Sequence, residues 1–191
     1  MNQYTLDDIR KESHSLTLHT YATHYLYSCR QSTIEKWLRM ITLLGFMIPV
    51  LIGGIVSSYG LDSILSKWSL IALTPLAIFQ LALSAISLVY RWEDRVSYYL
   101  ESSISNRNLS QEFDKLGKYP NEDVKITEHQ YELLIERNNN REEQDDKYPF
   151  TDKEMRRGMR YALRRFQRGC SGCQQIPISM KPTDCGVCGQ F

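Results

Sequence analysis

Two stretches of this chain carry no Asp, Glu, Lys, Arg or His: residues 40–61, lying between Arg39 and Asp62, and residues 68–90, lying between Lys67 and Arg91. At a rise of about 1.5 Å per residue, these 22 and 23 residues form helices about 33 and 35 Å long, which matches the hydrocarbon core of a bilayer. Helices of a soluble bundle seldom stay uncharged all round over such a length. The runs therefore predict membrane spans, tempered but not excluded by Ser57, Ser58, Gln80, Ser84 and Ser87. The N-terminus has no short apolar core behind a basic start, so a secretory signal peptide is not expected.

Bulk composition hides this division. Mean hydropathy is -0.38, and 23 Lys and Arg against 22 Asp and Glu give a net charge of +1, which excludes a globally basic nucleic-acid binder and an acidic tail protein. By region, however, residues 1–100 carry 8 basic and 7 acidic groups, residues 101–149 carry 7 and 12, and residues 150–191 carry 8 and 3. The cations Arg30, Lys36 and Arg39 precede the first span and Arg91 and Arg95 follow the second, so both termini are expected in the cytoplasm. Trp37, Tyr59, Trp68, Tyr90 and Trp92 fall near the span ends, where amphipathic rings prefer the headgroup region.

Within the first span Gly45, Gly53, Gly54 and Gly60 allow backbones to approach, and Pro49 removes a helical hydrogen bond; Pro75 does so in the second. These features suit simple hairpin packing as well as a self-associating hairpin that can open. A span without Asp, Glu, Lys, Arg or His lacks the usual marker of a pump or coupled transporter. A pore between several copies needs no buried charge and could be lined by Ser57, Ser84 and Ser87.

Outside the spans, residues 5–38 hold no Gly or Pro and open on a Thr5–Asp8 cap signature; residues 91–116 continue helically until Gly117 and Pro120, and residues 124–137 hold a further helix around Tyr131, Leu134 and Ile135. His14, His19 and His24 recur every five residues, turning each by about 140° from the last, so they share no face. No P-loop, GxGxxG, HExxH or GxSxG motif occurs, and nothing argues for an enzyme. The polar run NNNREEQDDKYP from Asn138 to Pro149 reads as an acidic linker.

After it, Thr151 and Glu154 form a capping-box pattern ahead of a basic amphipathic helix with Met155, Met159, Ala162, Leu163 and Phe166 in one stripe. Arg156, Arg157, Arg160, Arg164, Arg165 and Arg168 occupy the rest, together with Lys153. Such a helix can lie on an anionic leaflet, hold a nucleic acid or nucleotide, or cover a protein core; arginine's fork favours phosphate-type recognition in the first two cases.

The most specific motif is terminal: Cys170-Ser-Gly-Cys173, eleven residues, then Cys185-Gly-Val-Cys188. Two CxxC hooks offer four thiolates to one tetrahedral zinc at about 2.3 Å, with no open position for catalysis. Paired disulfides would need an oxidising compartment, at odds with a cytoplasmic tail, and an iron–sulfur cluster is the other alternative. The expected cofactor is a structural zinc. Cys29 is left over as a packing thiol.

The segment from His24 through Trp37, Pro49, Gly53 and Gly54, then Ser84, Trp92 and Tyr98 to Leu109, resembles the bacterial SLATT proteins, the SMODS and SLOG-associating two-transmembrane effectors, over about residues 20–116. The tail is similar to small mobile-element proteins characterised by a CxxC-x(11)-CxxC arrangement, matched by Cys170, Cys173, Cys185 and Cys188 without departure. The resemblance implies a defence role against phage or mobile elements in the bacterial inner membrane, with hairpins that oligomerise into a membrane-damaging pore. Members of the SLATT family work beside nucleotide second-messenger enzymes or nucleotide sensors, neither of which is encoded here.

The sequence as a whole predicts an all-α membrane protein: an N-terminal cytoplasmic helix (1–38), a transmembrane hairpin (39–61 and 68–91) with a short outer loop (62–67), a cytoplasmic helical region (92–137), the acidic linker (138–150), the basic helix (151–169) and a four-cysteine zinc-knuckle tail (170–191). Its expected function is that of a non-enzymatic, homo-oligomeric, membrane-permeabilising effector whose tail senses or docks a sensor protein, nucleotide or nucleic acid. The alternative is a hairpin that only tethers a zinc-binding module.

Overall fold

A computed structural model describes residues 5–60 and 62–191. Residues 1–4 of the expected N-terminal helix and Leu61, at the end of the first expected span, lie outside the described residues. Five helices follow in order, α1 (Leu6–Tyr59), α2 (Ile64–Val89), α3 (Trp92–Lys118), α4 (Val124–Asp145) and α5 (Asp152–Phe166), with no strand among the described residues. The chain divides into two units: Arg30–Tyr98, and a second built from Met1–Cys29 together with Tyr99–Phe191.

The Arg30–Tyr98 unit is a helical hairpin. α1 closes on Gly60, whose φ of +73° is the left-handed conformation that ends helices without a Cβ penalty. Its amide donates to the Val56 carbonyl at 2.9 Å, and its carbonyl accepts from Ser66 Oγ at 2.6 Å. Ser63 caps α2 by accepting from the Ser66 amide. The turn thus satisfies its own polar groups, and α2 begins at Ile64, inside the stretch 62–67 expected to be a loop. Pro49 and Pro75 both sit inside continuous helices.

Both α1 and α2 are long and apolar enough to cross a membrane, and only 6% and 0% of their apolar windows is buried. Their apolar side chains are not covered by the rest of the chain: Phe46 is 71% exposed, Ile71 65% and Leu88 80%. Arg91, at a φ of +51°, separates α2 from α3.

The second unit buries its apolar groups internally. Thr5 caps α1 by accepting from the Asp8 amide. Ile9 of α1, Leu109, Phe113 and Leu116 of α3, and Tyr131 and Leu134 of α4 form the core, flanked by Leu16 and Ile135. Between α1 and α3 the contact is made by small polar side chains, with Thr17 and Ser110 both buried and Ser110 Oγ donating to the Thr17 carbonyl at 2.9 Å. Gly117 completes this approach, since a Cβ there would lie 2.9 Å from the His14 ring.

The expected acidic linker is not one. Residues 138–145 are the last turns of α4, because Asn138 and Arg141 continue the face begun by Tyr131 and Leu134 at helical spacing, and all four are buried. Arg141 donates to Asp145 Oδ1 from Nε (3.0 Å) and Nη2 (2.7 Å), and to Ser102 Oγ at 2.6 Å. Asp145 also accepts from Ser102 Oγ (2.8 Å) and Asn106 Nδ2 (2.7 Å). A buried charge pair is tolerated where its remaining hydrogen-bonding capacity is met in this way. Only residues 146–151 connect α4 to α5.

Candidate metal centre

α5 opens on the expected capping box: Thr151 Oγ1 accepts from the Glu154 amide and the Glu154 carboxylate accepts from the Thr151 amide. Gly158 lets the helix close on α1, since a Cβ there would stand 3.0 Å from Leu26 and 3.1 Å from the Ala22 carbonyl. Tyr161 stacks on Tyr25, with ring centroids 3.8 Å apart. Gln167, at a φ of +51°, ends the helix and turns the chain into the first cysteine hook.

Each hook is a tight turn held by its own amides. In the first, Gln174 N donates to the Cys170 carbonyl (2.8 Å) and Gly172 N to Cys170 Sγ (3.4 Å). In the second, Gly189 N donates to the Cys185 carbonyl (2.9 Å) and Val187 N to Cys185 Sγ (3.4 Å). The hooks face each other, with Cys170 Sγ 3.8 Å from Cys185 Sγ and Cys173 Sγ 3.9 Å from Cys188 Sγ. All four sulfurs lie within 4.8 Å of one another. A tetrahedron with ligands about 2.3 Å from its centre has edges of about 3.8 Å, so the donor set fits one thiolate-bound cation.

The electrostatics differ between the two thiols of the second hook. Backbone amides of Cys188 and Val187 bring the Cys185 thiol down to about 6, whereas burial pushes Cys188 up. Four thiolates this close repel one another, and a cation among them favours the ionised form of each. The arrangement can therefore hold a metal ion through Cys170, Cys173, Cys185 and Cys188.

The tail is interlocked with α5 through Arg160. Its Nε donates to the Ser179 carbonyl (2.7 Å), and its Nη1 to Thr183 Oγ1 (3.3 Å) and the Cys188 carbonyl (3.1 Å). The sequence pattern groups Arg160 with the residues for an anionic partner or lipid; it is instead buried, fastening the second hook to the helix. Arg168 also turns inward, donating to His14 Nδ1 at 2.8 Å. Arg156 is half-buried and Arg157 reaches the Tyr25 hydroxyl from an exposed position, while Arg164 and Arg165 face solvent. Sequence reasoning missed Ser179 and Thr183 as partners of Arg160. The close fit of Thr183 to Gly189, where a Cβ would meet it at 2.3 Å, has no signal beyond the glycine itself.

In the hairpin, the candidate packing or pore residues separate into two groups. A Cβ at Gly45 would stand 2.8 Å from Gln80 Nε2, so Gly45 is a notch for that side chain, which also donates to Ser84 Oγ at 3.1 Å. Ser87 is buried. Gly53 and Gly54 have open space around them, and Ser57 is exposed.

Among known families, the Mobilome CxxCx(11)CxxC proteins match residues 10–191. The chain belongs to this family. The match takes in the hairpin and the helical unit as well as the tail, and the eleven residues Gln174–Asp184 between the hooks are the family's stated spacing. The SLATT resemblance of about residues 20–116 rests on the sequence pattern alone. No curated protein and no solved structure matches the chain. For a mobilome CxxCx(11)CxxC protein, the geometry here gives the motif a physical role: it holds the last 22 residues, 170–191, in one compact fold against α5.

Proposed function

We propose that this mobilome protein is a non-catalytic membrane module. α1 and α2 insert as a hairpin into the bacterial inner membrane with both termini in the cytoplasm, and a structural zinc on the four cysteines completes a surface that binds a protein or nucleic-acid partner. Arg160 is the observation that carries this reading: its hydrogen bonds to Ser179, Thr183 and Cys188 join the cysteine tail to α5, so metal bound at the hooks stiffens the unit that would meet a partner. Zinc suits a closed set of four thiolates, which leaves no position for a substrate. The exposed apolar surface of α1 and α2 supports insertion, because water solvates it poorly and lipid does not.

The tether reading is supported within the hairpin by Ser87, which is buried, and by Ser84, which is half-buried and accepts from Gln80 Nε2. The second reading, an effector that oligomerises and permeabilises the membrane in defence against phage or mobile elements, draws on Gly53, Gly54 and Ser57, which form one open patch near the end of α1. Expression of the full chain in bacteria separates them. The tether reading expects carbonate-resistant membrane association, about one zinc per chain and an undisturbed membrane potential. Rapid depolarisation and dye entry with the wild type, abolished in Gly53→Leu, would replace it with the pore.

A further inference from the structure

At the end of the hairpin away from the Gly60 turn, α1 and α2 part around a cleft of about 310 Å³, lined from the Arg30–Tyr98 unit alone. Small-molecule sites occupy about 300–1,000 Å³. The lining changes character along the hairpin. Leu38, Ile41 and Leu88 are apolar, Thr42, Ser84 and Ser87 carry hydroxyls, and Arg91, Glu93 and Asp94 bring charge of both signs.

Three details set this cleft apart from a simple gap between helices. Ser87 lines it and is only 9% exposed, yet its hydroxyl has no hydrogen-bond partner among the described residues. An enclosed hydroxyl left unpaired is costly, and a ligand oxygen would remove that cost. Arg91 is held at a φ of +51°, a conformation usually left to Gly or Asn. Glycine would serve the turn better, so the guanidinium is what the arginine adds. Finally, Arg91 Nη2 pairs with Asp94 Oδ2 at 2.5 Å, whereas Glu93 takes part in no ion pair among the described residues. One cation and two carboxylates suit a ligand that itself carries both signs.

Sequence position points to the source of that ligand. The cleft spans the boundary at which the uncharged run 68–90 gives way to Arg91, and Tyr90 and Trp92 flank the boundary as rings at headgroup level do. We propose that the cleft binds one phospholipid whose headgroup carries both a phosphate and a primary ammonium, as phosphatidylethanolamine does. The phosphate lies against Arg91, and the ammonium donates to the Glu93 and Asp94 carboxylates. Ser87, four residues before Arg91 on the apolar side, donates to an ester oxygen of the glycerol backbone, and the acyl chains run along Leu38, Ile41 and Leu88. A headgroup with a phosphate alone would leave the two carboxylates facing an anion. The inference rests on the membrane reading above, because it takes the end of the apolar runs for headgroup depth.

The full chain, extracted from membranes in mild detergent, is titrated with phosphatidylethanolamine, phosphatidylcholine or phosphatidylglycerol, and native mass spectrometry counts the lipid retained. The wild type retains one phosphatidylethanolamine at least about tenfold more tightly than the other two, because methylated ammonium donates no such hydrogen bond and glycerol brings no cation. Arg91→Gly suits the turn, so it inserts and folds as the wild type does, yet it holds all three lipids equally weakly. Glu93→Gln with Asp94→Asn keeps the phosphate contact and loses the preference, retaining phosphatidylglycerol as well as phosphatidylethanolamine.

Equal retention of the three lipids by the wild type means an annular coat only and overturns the inference. An Arg91→Gly variant that keeps the wild-type preference overturns it too, as does an unchanged preference in the Glu93→Gln, Asp94→Asn variant. Carbonate extraction of the same cells reads the membrane assignment separately. A chain in the soluble fraction overturns both readings, and a chain that stays in the membrane without a lipid preference overturns the cleft alone.

Discussion

The hairpin and the tail-bearing unit solve the problem of burial in opposite ways. Residues 30–98 put large apolar side chains on the outside and keep a few polar groups within, with Gln80 in the Gly45 notch and bonded to Ser84. The other unit does the reverse, yet its interior is not simply apolar: Arg141, Asp145, Asn106 and Arg160 are held inside by matched hydrogen bonds, and four cysteines close the tail. The first unit depends on its surroundings for stability, and the second on internal connections. Substitutions should therefore fail in different places: at single polar or thiol groups in one unit, and only at the inter-helix notch or in contacts between copies in the other.

The most severe break is loss of the metal. Cys185→Ser with Cys188→Ser removes two of four ligands, and structural zinc in modules of this size supplies on the order of 10 kcal/mol of folding energy. On the proposed function, metal content should fall from about one per chain to near zero and residues 170–191 should become protease-sensitive, while the membrane association proposed for the hairpin should be unchanged. A strong chelator applied to the wild type should reproduce the loss. Full metal content or an intact tail in the variant would remove the cysteines from the stabilising role assigned to them.

Next in size is Arg141→Leu. It takes the Arg141 guanidinium away from the largely enclosed Asp145 carboxylate, a change that costs about 3–5 kcal/mol where pairs are well enclosed. Denaturant unfolding of the tail-bearing unit would register it. An effect within 0.5 kcal/mol or so, the range for surface substitutions, would mean that residues 138–145 behave as the linker their composition suggests.

That segment shows where the sequence stopped being legible. The hairpin followed from uncharged length alone, and the cluster of four thiols from the spacing of two hooks, because both signals are local and have few alternative readings. The end of α4 was hidden because its buried positions are Asn138 and Arg141, which composition assigns to solvent; the period linking them to Tyr131 and Leu134 was present but carried no hydrophobic contrast. α5 failed in the opposite sense. Its five arginines look alike in sequence, and only the return of the chain from Ser179 to Cys188 selects Arg160 for the interior.

This distinction among arginines gives a smaller but sharper test. Arg160→Met leaves the Ser179 and Cys188 carbonyls and the Thr183 hydroxyl without their donor, at about 2–3 kcal/mol, whereas Arg164→Met should fall within about 0.5 kcal/mol of the wild type. Parallel unfolding curves would compare the two, and equal effects would dissolve the division between interlocking and surface arginines. In the hairpin the corresponding pair is Gly45→Leu and Gly53→Leu. The first displaces Gln80 and should cost about 1–3 kcal/mol in a detergent-denaturation titration, and the second should leave the isolated hairpin unchanged. Any loss in Gly53→Leu that depends on protein concentration therefore reports contacts between copies.

The smallest expected effect concerns pH and should be confined to the tail-bearing unit. His24 Nδ1 lies 2.9 Å from the Ser103 carbonyl, which fixes it as a donor, and Tyr21 packs beside the ring. Burial is the largest influence and pushes the imidazole pKa down; the Ser103 bond opposes this, and Arg107 adds to the depression. A histidine whose pKa is lower folded than unfolded binds more protons when unfolded. Its stabilising contribution is present above the ordinary value of about 6.5 and is lost as pH falls below that value through the folded one. His14, depressed by burial and by Arg168, acts in the same sense. Unfolding of the tail-bearing unit should therefore become easier between pH 7 and 5, and His24→Asn should flatten part of that slope. The apolar runs of the hairpin hold no Asp, Glu, Lys, Arg or His and contribute none of it. A slope unchanged in His24→Asn would mean that the folded unit leaves His24 as free to protonate as the unfolded chain does.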